Sequence, residues 1–271
     1  MKDLFNSLSI TVGLLVLAAL PATAQTTSGT VEIFNQIAPG VVAPGGTAAD
    51  ALNGIGNIEL GETDGGLDGL QGGLTLELGG GTLNLSSITQ ADWDSGLADI
   101  WFDDAWAAYG ADIESLGSGF TRESLRSAFD AVDADARLSD PNIASVGELD
   151  NGDVEIDLAG FFELNSLIDI ALERLGLGAF LPLPPLPPLV ASEVVAYDYQ
   201  GESGFLYSIG EAPAVSGVVS SDGTASFTGN YRVTLDAPSG EVSVPEPSVM
   251  VGFATVAGLA WLNSRRKSSA G

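Results

Sequence analysis

The chain predicts an α+β fold that is mainly β, built from short strands and hairpins with two or three helices. Three observations carry this expectation. Stretches of alternating apolar and polar residues recur before residue 90 and after residue 142. Glycine, at 35 of 271 residues, breaks the first of these regions into short pieces. Between them the apolar period switches to that of a helix.

Residues 1–24 read as a signal peptide. Lys2 supplies a thin positive start, "ITVGLLVLAAL" (Ile10–Leu20) is the apolar run, and Ala22 and Ala24 form an A-x-A site with the cut expected after Ala24. As a helix the run spans about 16 Å, too short for a hydrocarbon core of about 30 Å.

Residues 25–90 form a Gly-rich β region. Leu74-Thr75-Leu76-Glu77-Leu78 and Leu83-Asn84-Leu85 place leucine on one face of two strands joined by glycine turns, with loose order expected around them. Residues 91–243 form an α+β body. In "SGLADIWFDDAWAAYGADI", Leu97, Ile100, Trp101, Ala105 and Ala108 recur at helical spacing, and Gly110 is the expected stop. In "FTRESLRSAFDAVDADARL", Thr121 is a natural cap and Phe120 and Leu125 stand at hydrophobic-staple positions. Leu125, Phe129, Val132 and Ala136 make the apolar stripe of this helix, and Asp140-Pro141 stops it.

Beyond Asn142 the period returns to two. "NIASVGELDNGDVEIDLAGFF" predicts a hairpin turning at Asp150-Asn151-Gly152, with Val154, Ile156 and Leu158 facing inward. "LNSLIDIALERLGLG" suits a third helix ending near Gly176. The Pro-rich stretch at 181–189, "LPLPPLPPL", cannot join a ladder or a helix interior and is expected to be extended. "SEVVAYDY", "SGFLYSIG" and "TASFTGNYRVTL" then read as strands.

The charge balance narrows the function. There are 36 Asp and Glu against 9 Lys and Arg, and neither histidine nor cysteine. Without residues 1–24 and 248–271, five arginines face 35 acids and no lysine remains. Such a surface repels nucleic acid and anionic lipid and favours cations or basic partners. Ser-His-Asp and Cys-His catalysis are excluded, as are thiolate- and imidazole-bound zinc and any disulfide framework.

Residues 244–271 have three parts in order. Val244, Pro245, Glu246, Pro247 and Ser248 form an extended, open motif; Val249–Leu262 is uncharged and about 21 Å long as a helix; Arg265, Arg266 and Lys267 follow. Export would stall at the apolar run, inserting it transiently in the membrane with the basic cluster held in the cytoplasm.

This tail resembles the PEP-CTERM sorting signal. The resemblance implies an exported substrate of a membrane-embedded exosortase, cut near Pro245-Glu246-Pro247 and placed in the cell envelope, at the surface or in the extracellular matrix of a Gram-negative-type bacterium, often one that makes exopolysaccharide or biofilm. The stretches "RLSDPNIASVGELDNGDVEIDLAGFF", "ASEVVAYDYQGESGFLYSI" and "SDGTASFTGNYRVTL" are similar to a cyanobacterial group of such proteins whose function is unknown, so they imply no active site.

The remaining chemistry is that of carboxylates. Calcium takes six to eight oxygens, which clustered acids with glycine turns supply. Asp150, Asn151 and Asp153 form one candidate ligand group, and Asp133, Asp135 and Asp140 another, though neither completes an EF-hand loop. Asp103/Asp104, Asp133/Asp135 and Asp153/Glu155/Asp157 supply paired acids of the kind that hydrolyse a glycoside, but so many acids produce pairs by chance. In "VEID" the acids alternate with core residues and read as a solvated strand face. Trp101, at helical spacing, reads as core rather than as a sugar-stacking platform. The sequence as a whole therefore predicts an exported, acidic, non-catalytic protein without cofactor, structural or adhesive. The alternative is a calcium- or polysaccharide-binding module, and after it a carboxylate-based glycoside hydrolase.

Overall fold

The computed structural model describes residues 25–61, 67, 69–130, 138–159, 162–163, 165, 168–169, 173, 176, 189–210, 214–215, 219–220 and 229–236. The export signal with Ala22 and Ala24, Asp133 and Asp135, the Pro-rich stretch up to Pro188, and the tail from Val244 through Arg265, Arg266 and Lys267 lie outside the described residues. Among the described residues, no helix is long and apolar enough to cross a membrane.

The fold is mainly β, as the alternating stretches predict. Its strands are β1 (Gln25–Gly29), β2 (Val31–Ala38), β3 (Val41–Pro44), β4 (Gly56–Leu60), β5 (Gly72–Leu78), β6 (Gly81–Ser87), β7 (Asn142–Glu148), β8 (Val154–Ala159), β9 (Phe162–Glu163), β10 (Val190–Ala191), β11 (Val195–Tyr199), β12 (Glu202–Leu206), β13 (Ala214–Val215), β14 (Val219–Ser220) and β15 (Gly229–Leu235). Five form an antiparallel sheet in the order β1-β5-β6-β11-β12. Eight form a second sheet, β13-β15-β8-β7-β4-β2-β3-β14, antiparallel except where β14 joins β3. Strands from both sides of the helical segment meet in each sheet: β6 pairs with β11, and β4 with β7.

Glycine and leucine explain the first half. Leu74, Leu76, Leu83 and Leu85 are fully buried, in the register Leu74↔Leu85 and Leu76↔Leu83. The Gly-rich stretch therefore supplies central strands. Its two-residue turn, Gly79-Gly80, is held from outside: the Gly79 N–H donates to Glu148 Oε2 at 2.6 Å and Gln200 Nε2 donates to the Gly80 carbonyl at 2.6 Å. Opposite these leucines stand Ile58 and Leu60 of β4, Val154, Ile156 and Leu158 of β8, and Tyr231, Val233 and Leu235 of β15. Side chains of both sheets thus share one core, a sandwich in which β5, β6 and β15 bury every second residue.

The β7–β8 hairpin turns where the sequence places it. Leu149 N–H donates to the Asp153 carbonyl at 2.8 Å, and Gly152 adopts φ +89°, a conformation that L side chains rarely accept. Helix α1 (Ala48–Asn53) is capped by Thr47, whose Oγ1 accepts from Asp50 N–H. The short α2 (Gln90–Asp92) carries a reciprocal capping box between Thr89 and Asp92. A wider turn over Trp93–Leu97, with Gly96 at φ +120°, leads into α3 (Ala98–Glu114).

Helix α3 does not stop at Gly110 as expected but runs one more turn. A side chain at 110 would press on the Trp106 indole, with an added Cβ 2.7 Å from Cε2, so the glycine serves packing rather than termination. Helix α4 (Arg122–Phe129) follows Thr121, and Phe120 and Leu125 are both buried in the same cluster, as a staple requires. Farther on, Asn165, Ile168, Asp169 and Glu173 have helical backbone, and Gly176 adopts φ +68° with its N–H on the Glu173 carbonyl, a helix-ending geometry. This second core gathers α3 and α4 with Leu138, Ile168, Leu189, Ala191 and Val194, and with Ala196 and Phe205 of the five-stranded sheet. Tyr109 ties it to β10, its hydroxyl donating to the Val190 carbonyl at 2.7 Å and accepting from the Val190 N–H at 3.0 Å.

The inter-sheet core makes a direct prediction. Leu83→Ala should lower unfolding free energy by about 2–5 kcal/mol, whereas Ile100→Ala, at a residue 58% exposed, should change it by less than about 0.5 kcal/mol. Chemical denaturation followed by tryptophan fluorescence checks both.

Candidate functional site

The described members of the sequence-predicted ligand groups fall at opposite ends of β7. Asp150, Asn151 and Asp153 lie in the hairpin turn, where Asn151 Nδ2 donates to Asp153 Oδ2 at 2.5 Å and Asp153 N–H donates to Asn151 Oδ1 at 3.2 Å. The polar groups of Asn151 and Asp153 thus serve the turn itself. Asp140 lies before the other end of β7, about 20 Å away along the strand. Among the described residues, no three acids are gathered as a metal-holding group.

Asp140 instead borders a buried polar cluster. Two backbone bonds bring its strands together: Leu60 N–H donates to the Pro141 carbonyl at 3.0 Å, and Val194 N–H to the Leu138 carbonyl at 3.1 Å. The first holds the end of β4 to the start of β7; the second brings the 192–194 segment across both. Glu59 is 6% exposed on the face of β4 opposite Ile58 and Leu60, in register with Asn142. Glu193 arrives from the β10–β11 connection. Its Oε2 accepts from the Asn142 N–H at 2.9 Å and from Asn142 Nδ2 at 3.4 Å.

Burial pushes the Glu193 carboxyl well above the usual carboxylate range. The charge of Asp140 adds to this, and that of Glu59 contributes further, while the bonds from Asn142 oppose it. The buried Oδ1 atoms of Asn57 and Asn142 have no hydrogen-bond partner. Acceptors therefore dominate, and a proton on Glu193 supplies a donor. Neither Glu59 nor Glu193 stands out in the sequence, because "NIEL" and "SEVV" each place a lone acid beside apolar residues. The burial becomes visible only when β4, β7 and the β10–β11 connection converge.

A second polar site is an open groove of about 440 Å³ bordered by Asp104, Phe205, Tyr207, Ser208, Arg232 and Thr234. Tyr207 Oη donates to Asp104 Oδ2 at 2.6 Å, joining α3 to the end of β12. Burial first, and the Asp104 carboxylate second, hold this phenol well above its ordinary value. Arg232 is locked by Asp157, with Nε to Oδ1 at 2.9 Å and Nη2 to Oδ2 at 3.2 Å, and lies 3.5 Å from Glu155. The alternating acids of "VEID" thus do not stand in open solvent as their pattern suggests: Glu155 and Asp157 are 15% and 14% exposed and face a guanidinium. Trp101 is 1% exposed and stacks on Phe129 with ring centroids 5.3 Å apart, a core position.

The Glu193 cluster gives stability a defined pH dependence. The native carboxyl holds its proton to higher pH than the unfolded one, which titrates near 4.3. Its contribution is therefore fully present below the unfolded value and is lost as pH rises through the native one. Glu193→Gln keeps an acceptor for Asn142 and never ionises. It should melt like the parent near pH 4 and at a higher temperature at pH 8; a variant less stable at pH 8 would overturn this assignment.

In the comparisons with known proteins, no family model, no curated protein and no solved structure matches this chain.

Proposed function

We propose that this chain is an exported, acidic and non-catalytic protein of the cell envelope, surface or extracellular matrix, structural or adhesive, and the substrate of an exosortase. The observation that carries the reading is the order of elements along the chain. An A-x-A site at Ala22 and Ala24 is followed at once by β1, whose first residue is Gln25. The tail motif at 244–248 comes after the last described strand, which ends at Leu235. Both cuts would therefore fall outside the described strands and leave their ladders whole. A surface nearly without positive charge suits a protein that must stay dispersed while exported.

The test is the mass and location of the mature protein in cells with and without their exosortase. The reading expects a product lacking the basic cluster in the first strain, and a membrane-retained product carrying Arg265, Arg266 and Lys267 in the second. Replacement of Pro245, Glu246 and Pro247 by alanine should reproduce the second result in the first strain. Identical products in both strains would defeat it.

The groove favours a second reading, polysaccharide binding. Asp104 and Arg232 border it beside the Phe205 and Tyr207 rings. Carboxylate and guanidinium groups bind hydroxyls directionally, and a ring face stacks on a pyranose. Binding on a glycan array, weakened at least tenfold by Asp104→Ala, is the expected outcome. Undiminished binding by that variant would remove the groove from the reading. Calcium is the other alternative, and a melting temperature unchanged by calcium or chelator would set it aside.

A further inference from the structure

We propose that Gln25 becomes a pyroglutamyl residue, so that the mature chain has no free α-amino group. The inference rests on the reading above that the signal is cut after Ala24, which makes Gln25 the first residue. The freed amine nitrogen attacks the side-chain Cδ of the same residue. The N–Cδ bond forms, the Cδ–Nε2 bond breaks, and Nε2 leaves as ammonia with the proton given up by the amine. The step needs no oxidant, reductant or second reactant, and its intramolecular geometry supplies the effective concentration.

Three features of the fold favour this ring. First, β1 begins at Gln25 and lies at an edge of the five-stranded sheet, paired only with β5. Second, Gln25 stands directly opposite Leu76, so both side chains share one face of the sheet, and Leu76 is wholly buried between the sheets. The fraction of a freed α-amine that is unprotonated near neutral pH is the nucleophilic form. Third, Oε1 and Nε2 of Gln25 are both sheltered from solvent without a hydrogen-bond partner. No bond holds the amide away from the amine, and none is lost when ammonia leaves.

The product suits its place. The lactam is neutral, so the strand end carries no charge next to the leucine core. The Gln25 carbonyl and one N–H survive ring closure, and the residues from Thr26 to Gly29 keep their partners in β5. The closed terminus also gives aminopeptidases no amine to grip at a sheet edge.

The experiment uses the full chain exported by its own signal. Freshly harvested protein is treated with an amine-modifying reagent before digestion, and the N-terminal peptide is sequenced by tandem mass spectrometry. The expected peptide begins at residue 25, is lighter by one ammonia than the encoded sequence, and carries no label. The exported Gln25→Ala variant should be fully labelled, showing that the reagent reaches this terminus. A wild-type peptide that begins at Gln25 with a labelled amine would overturn the proposal and leave the cut after Ala24 standing. A peptide that begins elsewhere would overturn both.

Discussion

The ladder between β6 and β11 holds the two halves of the chain together. Leu83 pairs with Tyr199, Leu85 with Tyr197 and Ser87 with Val195, across more than a hundred residues of intervening sequence. Without it β1, β5 and β6 would be a three-stranded piece joined to the rest of the fold only through its leucine face. With it, the leucines of β5 and β6 become one wall of a sandwich whose other wall is built by β4, β7, β8 and β15. The ladder also fixes where the helices can lie. The segment carrying α2, α3 and α4 leaves from β6 and returns through β7, and its apolar faces close over Ala191, Val194, Ala196 and Phe205.

Scarcity of positive charge is the second constraint. Among the described arginines, each is used on acids that would otherwise repel one another. Arg122 pairs with Asp103, Arg126 with Asp99 and Asp130, and Arg232 with Asp157 and Glu155. Arg122 and Arg126 also lie over the Phe102 ring, so their stems cover the aromatic core of the helical layer. Glu193 meets the same problem differently. Two bonds from Asn142 and a tightly held proton stand in for a cation.

These two constraints bear on function. A strongly acidic sandwich whose described strands lie between residues 25 and 235 would keep these ladders under the two cuts proposed above. The groove between α3, the end of β12 and β15 is the place where carboxylate, guanidinium and aromatic groups from three parts of the chain meet an open space. Under the export reading, the residue that starts the first strand would also start the mature chain.

Much of the local structure is legible in the residues. The alternation of Leu74, Leu76 and Leu78, the turn at Asp150-Asn151-Gly152, the inward Val154, Ile156 and Leu158, and the cap at Thr121 follow from period, glycine and hydroxyl chemistry within a few residues. Strand partners are not legible in this way, because one leucine face fits another equally well and only the whole set of ladders selects the register. The same holds for charge. A lone acid in "NIEL", "SEVV" or "VEID" looks alike in sequence, yet Glu59 and Glu193 share a buried cluster while Glu155 faces Arg232. Sequence by itself determined which face of each element is apolar and where the chain turns, since these depend on neighbours within a few bonds. Tertiary structure alone decided which acids lost their water and which found a cation, since desolvation and Coulomb energy depend on groups brought close from distant parts of the chain.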